Sequence, residues 1–119
     1  MIEPTFCSGL ADLASRYRGF IVDQWGVLHD GARPYADAFD CLVRLREAGK
    51  RIVLLSNSGK RTSINRARLA EIGIDAALYD ALVTSGEATW RALAERTEPF
   101  FAALGRSCIL WSRAGDRST

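Results

Sequence analysis

A short apolar run, Phe20-Ile21-Val22, ends on the carboxylate of Asp23 and is followed by a turn that contains Gly26. A run this apolar predicts a strand that is covered on both faces, as in parallel sheets. An acid at the carboxyl end of such a strand lies at the edge where open α/β sheets bind ligands. Asp is also common in the bend after a strand, so this feature alone does not assign Asp23 a function.

A second apolar run, Ile52-Val53-Leu54-Leu55, is followed by Ser56 and Asn57. The residues between the two runs predict an amphipathic helix, with Leu42 and Leu45 on its apolar side and its end at Gly49. A strand, a helix and a strand within about 35 residues form a βαβ unit, which is right-handed and has parallel strands. We therefore expect Asp23 and Ser56 at the same edge of the sheet.

The rest of the chain continues the alternation of helices and strands. Thr84 and Glu87 have the spacing of a capping box, which favours a helix cap over a catalytic hydroxyl for Thr84. The fold class predicted is α/β, a Rossmann-like parallel sheet with helices on both faces. The further elements predicted are helices over residues 8–17, over 63–72 with Thr62 or Ser63 as cap, and from Thr84 to before Pro99, and strands over 81–83 and 108–111.

Composition excludes several classes of protein. The 119 residues make at most one ordinary domain, and a net charge of +2 is too small to imply nucleic-acid binding. No apolar run reaches the roughly 18 residues of a membrane span, and the first residues lack a secretion signal, so we expect a cytoplasmic protein with no membrane partner. Three distant cysteines, with Cys41 and Cys108 expected to be buried, and a single histidine argue against a disulfide framework or a zinc site.

Two motifs resemble the haloacid dehalogenase-like hydrolase superfamily. Asp23-Gln24-Trp25-Gly26-Val27 is similar to its first motif, and Leu54-Leu55-Ser56-Asn57 is similar to its second. Residues 48–50, 56–62, 69–74 and 83–89 resemble the subgroup with a large cap after the second motif, which includes phosphatases of small phosphate esters. The resemblance implies that residues 1–112 are the N-terminal half of the core domain, with cap and C-terminal half missing, and that residues 113–119 begin the cap or a linker.

The resemblance also implies roles for the matching residues. Asp23 would be the nucleophile that forms an aspartyl-phosphate and a ligand of Mg²⁺, and the backbone carbonyl of Trp25 would be a second metal ligand. Ser56 would hydrogen-bond the phosphoryl group, helped by the backbone N–H of Asn57. Three further residues are candidates for the substrate side of the site, although a solvated loop explains them equally well: Ser58, Lys60 and Arg61.

The chain departs from the family pattern in two ways. Trp25 stands where most family phosphatases have a second Asp that protonates the leaving group, and indole cannot be a general acid at neutral pH. His29 and Asp30 in the following loop are the weaker candidates for that acid. The third motif, with its Lys, and the fourth, with its acidic metal ligands, have no convincing match, so we expect little or no activity from this chain alone.

The function expected is Mg²⁺-dependent hydrolysis of a small phosphorylated metabolite. Three alternatives stay open. Trp25 resembles the aromatic residue of the superfamily's true dehalogenases, in which displacing halide from carbon needs no leaving-group proton. A non-catalytic relative that binds a phosphorylated ligand or a protein would explain the missing motifs. Signalling through a phosphorylated Asp is less favoured, because no extra cluster of acids precedes the first strand. The sequence does not specify an oligomeric state.

Overall fold

The computed structural model describes residue 4 and residues 6–111. Strands alternate with helices along this part of the chain, as the βαβ pattern predicts. The elements in order are α1 (Ala11–Ala14), β1 (Gly19–Asp23), α2 (Ala36–Glu47), β2 (Arg51–Ser56), α3 (Thr62–Glu71), a 3₁₀ turn (Ala76–Leu78), β3 (Ala81–Thr84), α4 (Ser85–Glu95) and α5 (Pro99–Ala102).

The three strands form one parallel sheet in the order β1-β2-β3. Asp23 on β1 pairs with Leu55 on β2, and Ser56 pairs with Thr84 on β3. All three strands therefore end within one residue of each other along the sheet. This register brings the polar residues that follow the apolar runs to one edge.

One face of the sheet carries the core. Ile52 and Leu54 of β2 are fully buried because the helices that connect the strands pack on them, with Leu42 on α2 and Leu69 on α3 as the contacts. Crossovers between neighbouring parallel strands are almost always right-handed, a rule that puts both connecting helices on the same side of the sheet. The α/β class predicted from the sequence is confirmed.

The opposite face is less covered in the described part of the chain. Ile21, Leu55 and Val83, which share this face by strand alternation, are 74%, 48% and 42% exposed. Among residues 4 and 6–111, helices thus cover one face well and leave apolar side chains on the other.

Two predicted boundaries need correction. The helix expected over residues 8–17 is only α1, and Ser8 does not cap it; instead the Asp12 carboxylate accepts hydrogen bonds from the Ser8 N–H at 2.9 Å and hydroxyl at 2.8 Å. Neither Thr62 nor Ser63 caps α3. Arg61 occupies the N-cap position without a side-chain bond, because the carboxylate of Glu87 on α4 accepts from the Thr62 N–H instead.

The prediction of a strand over residues 108–111 is wrong. This segment has no regular secondary structure, Cys108 is exposed, and Ile109 and Trp111 are each 96% exposed. An apolar run becomes a strand only where a neighbour takes its backbone hydrogen bonds, and none of the three strands pairs with it. Residues 113–119, expected to begin a cap or linker, lie outside the described residues. No helix among those described is both long enough and apolar enough to cross a membrane.

Candidate functional site

The carboxyl edge of the sheet brings Asp23 and Ser56 onto neighbouring strand ends. Asp23 is exposed, and its Oδ1 accepts a hydrogen bond of 2.8 Å from the Gln24 N–H. Ser56 is buried, and its Oγ accepts from the Ser58 N–H at 3.2 Å. The turn after β2 is therefore closed at its start by a hydrogen bond from the Ser58 backbone to the Ser56 side chain.

The loop after β1 is a tight backbone turn. The carbonyl of Gln24 accepts from the N–H groups of Val27, Leu28 and His29 at 3.2, 2.8 and 3.3 Å. Gly26, with φ of +80°, supplies the left-handed residue that such a turn needs. This turn projects the Trp25 side chain outward, where it is 69% exposed and meets the His29 ring edge-on at 5.8 Å between centroids.

His29 is buried under this loop. Its Nδ1 accepts a hydrogen bond of 3.0 Å from the Gly31 N–H, so the neutral ring carries its proton on Nε2. Burial lowers the pKa of His29, and the positive charge of Arg68 acts in the same direction, whereas the charges of Asp30 and Asp23 oppose it. A neutral histidine at pH 7 is a hydrogen-bond donor here and a poor general acid.

Asp30 is equally unsuited to donate a proton. Its Oδ1 accepts from the backbone N–H groups of Arg33 and Ala32 at 2.9 and 2.8 Å. The bonds from Arg33 and Ala32 lower the pKa of Asp30, which keeps it ionised at neutral pH. Neither candidate for the missing acid at Trp25 is therefore favoured by its surroundings.

A cleft of about 300 Å³ lies between the loop after β1, the turn after β2 and helix α3. Residues from two strand ends and from helix α3 line the cleft, so no single sequence motif predicts it. Its lining residues are Gln24, Trp25, His29, Gly31, Ser56, Asn57, Ser58, Asn65, Arg68 and Leu69.

Two lining side chains each have a buried polar atom without a hydrogen-bond partner among the described residues. Gln24 is 2% exposed and its Nε2 has no acceptor, while Asn65 Oδ1 has no donor. Buried polar groups in folded proteins are nearly always paired, so each exception requires an explanation. The third such atom, the hydroxyl of Tyr79, lies outside the cleft lining.

Arg68 closes one side of the cleft. Its guanidinium donates to the carbonyl of Gly31 at 2.9 Å and to the carboxylate of Glu71 at 2.8 Å. Helix α3 thereby contacts the loop after β1, although the two segments are 37 residues apart. Much of the positive charge of Arg68 is balanced by Glu71.

The other side of the turn after β2 is held by a set of contacts that we call the brace: Arg61, Thr62, Thr84, Gly86, Glu87 and Trp90. Thr84 Oγ1 donates to the Lys60 carbonyl at 2.7 Å and accepts from the Glu87 N–H at 3.1 Å, which confirms its role as a helix cap. Glu87 accepts from Arg61 Nε at 2.8 Å. The Arg61–Glu87 bond is charge-assisted, and together the three bonds fix the turn against helix α4.

Glycine at position 86 allows the closest contact of the brace. A Cβ there would lie 2.0 Å from the carbonyl oxygen of Gly59, and the Gly86 N–H already donates to the Ser58 carbonyl at 3.0 Å. The backbone of the turn therefore rests directly on the first turn of α4. This packing holds residues 56–60 in position beside the cleft.

The predicted substrate-side residues have different surroundings. Ser58 lines the cleft, and its Oγ accepts from the Lys60 N–H at 3.2 Å. Lys60 and Arg61 are not among the lining residues. The Arg61 guanidinium lies 3.7 Å above the Trp90 ring and forms an ion pair with Glu87. These contacts give Arg61 a structural role and do not support a contact with substrate. Of the phosphate-side candidates, Ser56 and Asn57 both line the cleft.

Comparison with known proteins decides the family. The sequence profile of haloacid dehalogenase-like hydrolases matches residues 20–117. The chain belongs to this family. Residues of the family's N-terminal part are the ones present, in agreement with the motifs at Asp23 and Ser56.

Three similar proteins place the chain within longer relatives. Chronophin of Bos taurus is 32% identical over 90 residues, which are 75% of this chain and 30% of chronophin. A haloacid dehalogenase-like hydrolase of Brucella suis 1330 is 36% identical with a TM-score of 0.68, over 76% of this chain and 35% of that one. A hypothetical protein of Pyrococcus horikoshii OT3 is 29% identical with a TM-score of 0.55, over 70% and 32%. The chain thus spans about a third of each relative's length.

The family generally uses Mg²⁺, and two groups here fit that ion in part. The Asp23 carboxylate and the Trp25 backbone carbonyl are oxygen donors, the type that Mg²⁺ prefers, and Mg²⁺ sites use few protein ligands with several waters. The residues that the structure describes hold no group of three or more His, Cys, Asp or Glu side chains that could bind a metal. These residues therefore fit one part of a magnesium site.

Sequence reasoning missed Gln24, Asn65 and Arg68. Gln24 falls within the first motif but was given no role of its own. Asn65, Arg68 and Leu69 have the i, i+3, i+4 spacing of one helix face, and a polar pair beside a buried Leu on that face was the available signal.

Proposed function

We propose that this chain carries the nucleophile and the phosphate-holding residues of a Mg²⁺-dependent phosphate-ester hydrolase. The observation that carries the proposal is the register of the sheet, in which the Asp23 carboxylate and the Ser56 hydroxyl follow neighbouring parallel strands. Asp23 pairs with Leu55, so its side chain starts from the opposite face of the sheet to that of Ser56. One phosphoryl group would therefore meet both side chains at the edge itself, beyond the strand ends. Membership of the hydrolase family supports the same reading.

Each residue has a stated part in this proposal. Asp23 attacks phosphorus through a carboxylate oxygen as the P–O bond of the ester breaks, and the departing oxygen leaves as a phenolate from an aryl ester or takes a proton from solvent. Water then attacks phosphorus of the aspartyl-phosphate and gives up a proton to solvent, the P–O bond to Asp23 breaks, and orthophosphate and the Asp23 carboxylate are released. The Ser56 hydroxyl donates to a phosphoryl oxygen, since its acceptor position is already used by the Ser58 N–H. The Asn57 backbone N–H donates to a second phosphoryl oxygen. The substrate class is a small phosphorylated metabolite.

Mg²⁺, held by the Asp23 carboxylate and the Trp25 carbonyl, would balance the charge of the phosphate when bound. Trp25 supplies no proton to the leaving group. Without a general acid among the described residues, hydrolysis of an ester with an ordinary alcohol leaving group would typically be slower by about 10²- to 10⁴-fold, whereas an ester with a good leaving group would be less affected. An aryl phosphate is therefore the substrate with which activity is most easily detected.

The test compares hydrolysis of an aryl phosphate with Mg²⁺ by the complete protein that contains these residues and by its Asp23→Asn variant. We expect the rate to fall by at least about 10³-fold, because removing a nucleophile removes the covalent route. Asp40→Asn is the control, since this carboxylate lies on the exposed side of α2 and pairs with Arg44. Equal rates in the protein and Asp23→Asn would exclude Asp23 as nucleophile.

Hydrolysis at carbon is the second candidate function. It is favoured by the surroundings of His29 and Asp30, because neither is suited to protonate a leaving oxygen and halide needs no proton. Release of chloride from a 2-chloro carboxylic acid, abolished by Asp23→Asn, would support this function over phosphate hydrolysis.

A further inference from the structure

The unpaired amides of Gln24 and Asn65 belong to one cleft. Gln24 lines the cleft and is only 2% exposed, and its Nε2 has no hydrogen-bond acceptor among the described residues. Asn65 Oδ1 lacks a donor on the facing helix. Unpaired buried polar groups are destabilising and rare in folded proteins, so two in one cleft indicate partners outside the described part of the chain.

The requirements of these groups define the ligand. Gln24 Nε2 needs an acceptor, whereas Asn65 Oδ1 needs a donor. A hydroxyl is the group that both donates and accepts. Neighbouring hydroxyls on one ligand therefore satisfy the cleft, which a purely acceptor group such as a carboxylate does not.

The charges of the cleft also favour a neutral group. Arg68 is the cationic side chain of the lining, and it is already paired with Glu71 and the Gly31 carbonyl. Little unbalanced positive charge is left to bind a second anion at this place.

The larger groove of about 910 Å³ beside α3 and α4 offers no comparable feature. Its most prominent charges, Arg61 and Arg91, already pair with Glu87 at 2.8 and 3.3 Å. None of the unpaired buried atoms among the described residues belongs to its lining.

We propose that the cleft binds the polyhydroxylated part of a phosphate ester, with Gln24 donating to one ligand hydroxyl and Asn65 accepting from another. The inference rests on the proposed function in one respect, that the phosphoryl group of the ester lies at Ser56. It assigns leaving-group recognition to the core itself, through residues of the first loop and α3. The substrate class becomes sugar or polyol phosphates.

The test uses binding, so that it does not depend on turnover. Affinities of the purified protein for glucose 6-phosphate, hexyl phosphate and phosphoglycolate are measured by calorimetric titration, in the Asp23→Asn background to prevent hydrolysis. We expect glucose 6-phosphate to bind about tenfold more tightly than hexyl phosphate, the usual effect of one or two added hydrogen bonds. Equal affinities, or tightest binding of phosphoglycolate, would overturn the inference.

Two variants locate the preference. Gln24→Met and Asn65→Leu keep side-chain size and remove the hydrogen-bonding groups, so each should reduce the tenfold preference to about twofold or less while hexyl phosphate affinity stays unchanged. Ser63→Ala, on α3 but outside the cleft lining, is the matched control and should keep the preference. Asn65→Leu provides the measurement if Gln24→Met does not fold. If both variants still prefer glucose 6-phosphate about tenfold, the assignment of the cleft is overturned. If Gln24→Met does not fold, the same preference in Asn65→Leu alone overturns it.

The two proposals fail in distinguishable ways. If Asp23→Asn hydrolyses phosphate esters at the full rate but the binding preference is seen and depends on Gln24 and Asn65, the proposed function is wrong and the cleft assignment stands. If Asp23→Asn is inactive and all three probes bind alike, the cleft assignment is wrong and the proposed function stands.

Discussion

The turn after β2 has two sides that differ in how their polar groups are paired. On the brace side, Thr84 is fully buried and bonds both the Lys60 carbonyl and the Glu87 N–H. On the cleft side, Gln24 is nearly as buried but its Nε2 has no partner among the described residues. Paired groups stabilise the turn, whereas unpaired ones are available to a ligand. The comparison separates residues that hold the site from residues that would use it.

The largest effect is expected where the turn touches the brace backbone. Gly86→Ala should destabilise the protein by about 3 kcal/mol, because the new Cβ would lie 2.0 Å from the Gly59 carbonyl oxygen and neither backbone can move freely. The gain of about 1 kcal/mol from Ala in a helix is too small to offset this. Urea denaturation measures the change. Gly9→Ala, with nothing within 4 Å of the new Cβ, should stay within about 0.5 kcal/mol.

Matched substitutions of the two buried polar residues test the comparison directly. Thr84→Val should destabilise by about 2 kcal/mol, since it removes a helix cap and the hydrogen bond from Thr84 Oγ1 to the Lys60 carbonyl. Gln24→Met should be neutral or stabilising by up to about 1 kcal/mol, since it removes an unpaired donor. If Thr84→Val and Gln24→Met lose similar amounts of stability, then Gln24 has a hydrogen-bond partner, and the brace side and the cleft side of the turn do not differ in pairing.

On the cleft side, two glycines separate backbone strain from side-chain contact. Both have positive φ, +93° at Gly31 and +80° at Gly26, so Ala at either position is strained by about 1 kcal/mol. Only Gly31→Ala also places a Cβ 2.3 Å from the Trp25 ring. We expect about 2 kcal/mol of destabilisation for Gly31→Ala and about 1 kcal/mol for Gly26→Ala.

The indole N–H resonance of Trp25, followed by NMR, reports the same difference. It should shift in Gly31→Ala because the ring must move. If the Trp25 indole resonance does not shift in Gly31→Ala, or if Gly31→Ala and Gly26→Ala destabilise the protein equally, then Trp25 does not pack on Gly31.

The smallest effect is a pH dependence of the brace. Hydrogen bonds from Arg61 and from the Thr62 N–H lower the pKa of Glu87 to about 2 from its usual 4.5. Because the folded-state pKa is the lower one, the stabilisation is fully present above pH 4.5 and is lost as the pH falls from there toward 2.

Urea denaturation of the protein and of Glu87→Gln between neutral pH and pH 3 measures this contribution. The stability difference should be largest at neutral pH and should shrink below pH 4.5. Glu71→Gln is the control for an exposed ion pair and should lower stability less at neutral pH. A Glu87→Gln difference that is constant with pH would contradict the role given to the Arg61–Glu87 pair.

The sequence by itself determined the α/β class, the parallel strands at Asp23 and Ser56, and the helix cap at Thr84. These depend on local signals, namely apolar runs, turn residues and the right-handed crossover, that act within a few residues or one βαβ unit. The family resemblance followed from the same two strand ends.

Only the tertiary structure decided which polar groups are paired. Residues 108–111 are apolar enough for a strand but pair with none of those described, and Arg61 stands next to the phosphate loop in sequence yet is held by Glu87, 26 residues away. Gln24 and Asn65 are 41 positions apart and share one cleft. Burial and hydrogen bonding depend on which segments meet in space, and this is information that the local pattern of one segment does not contain.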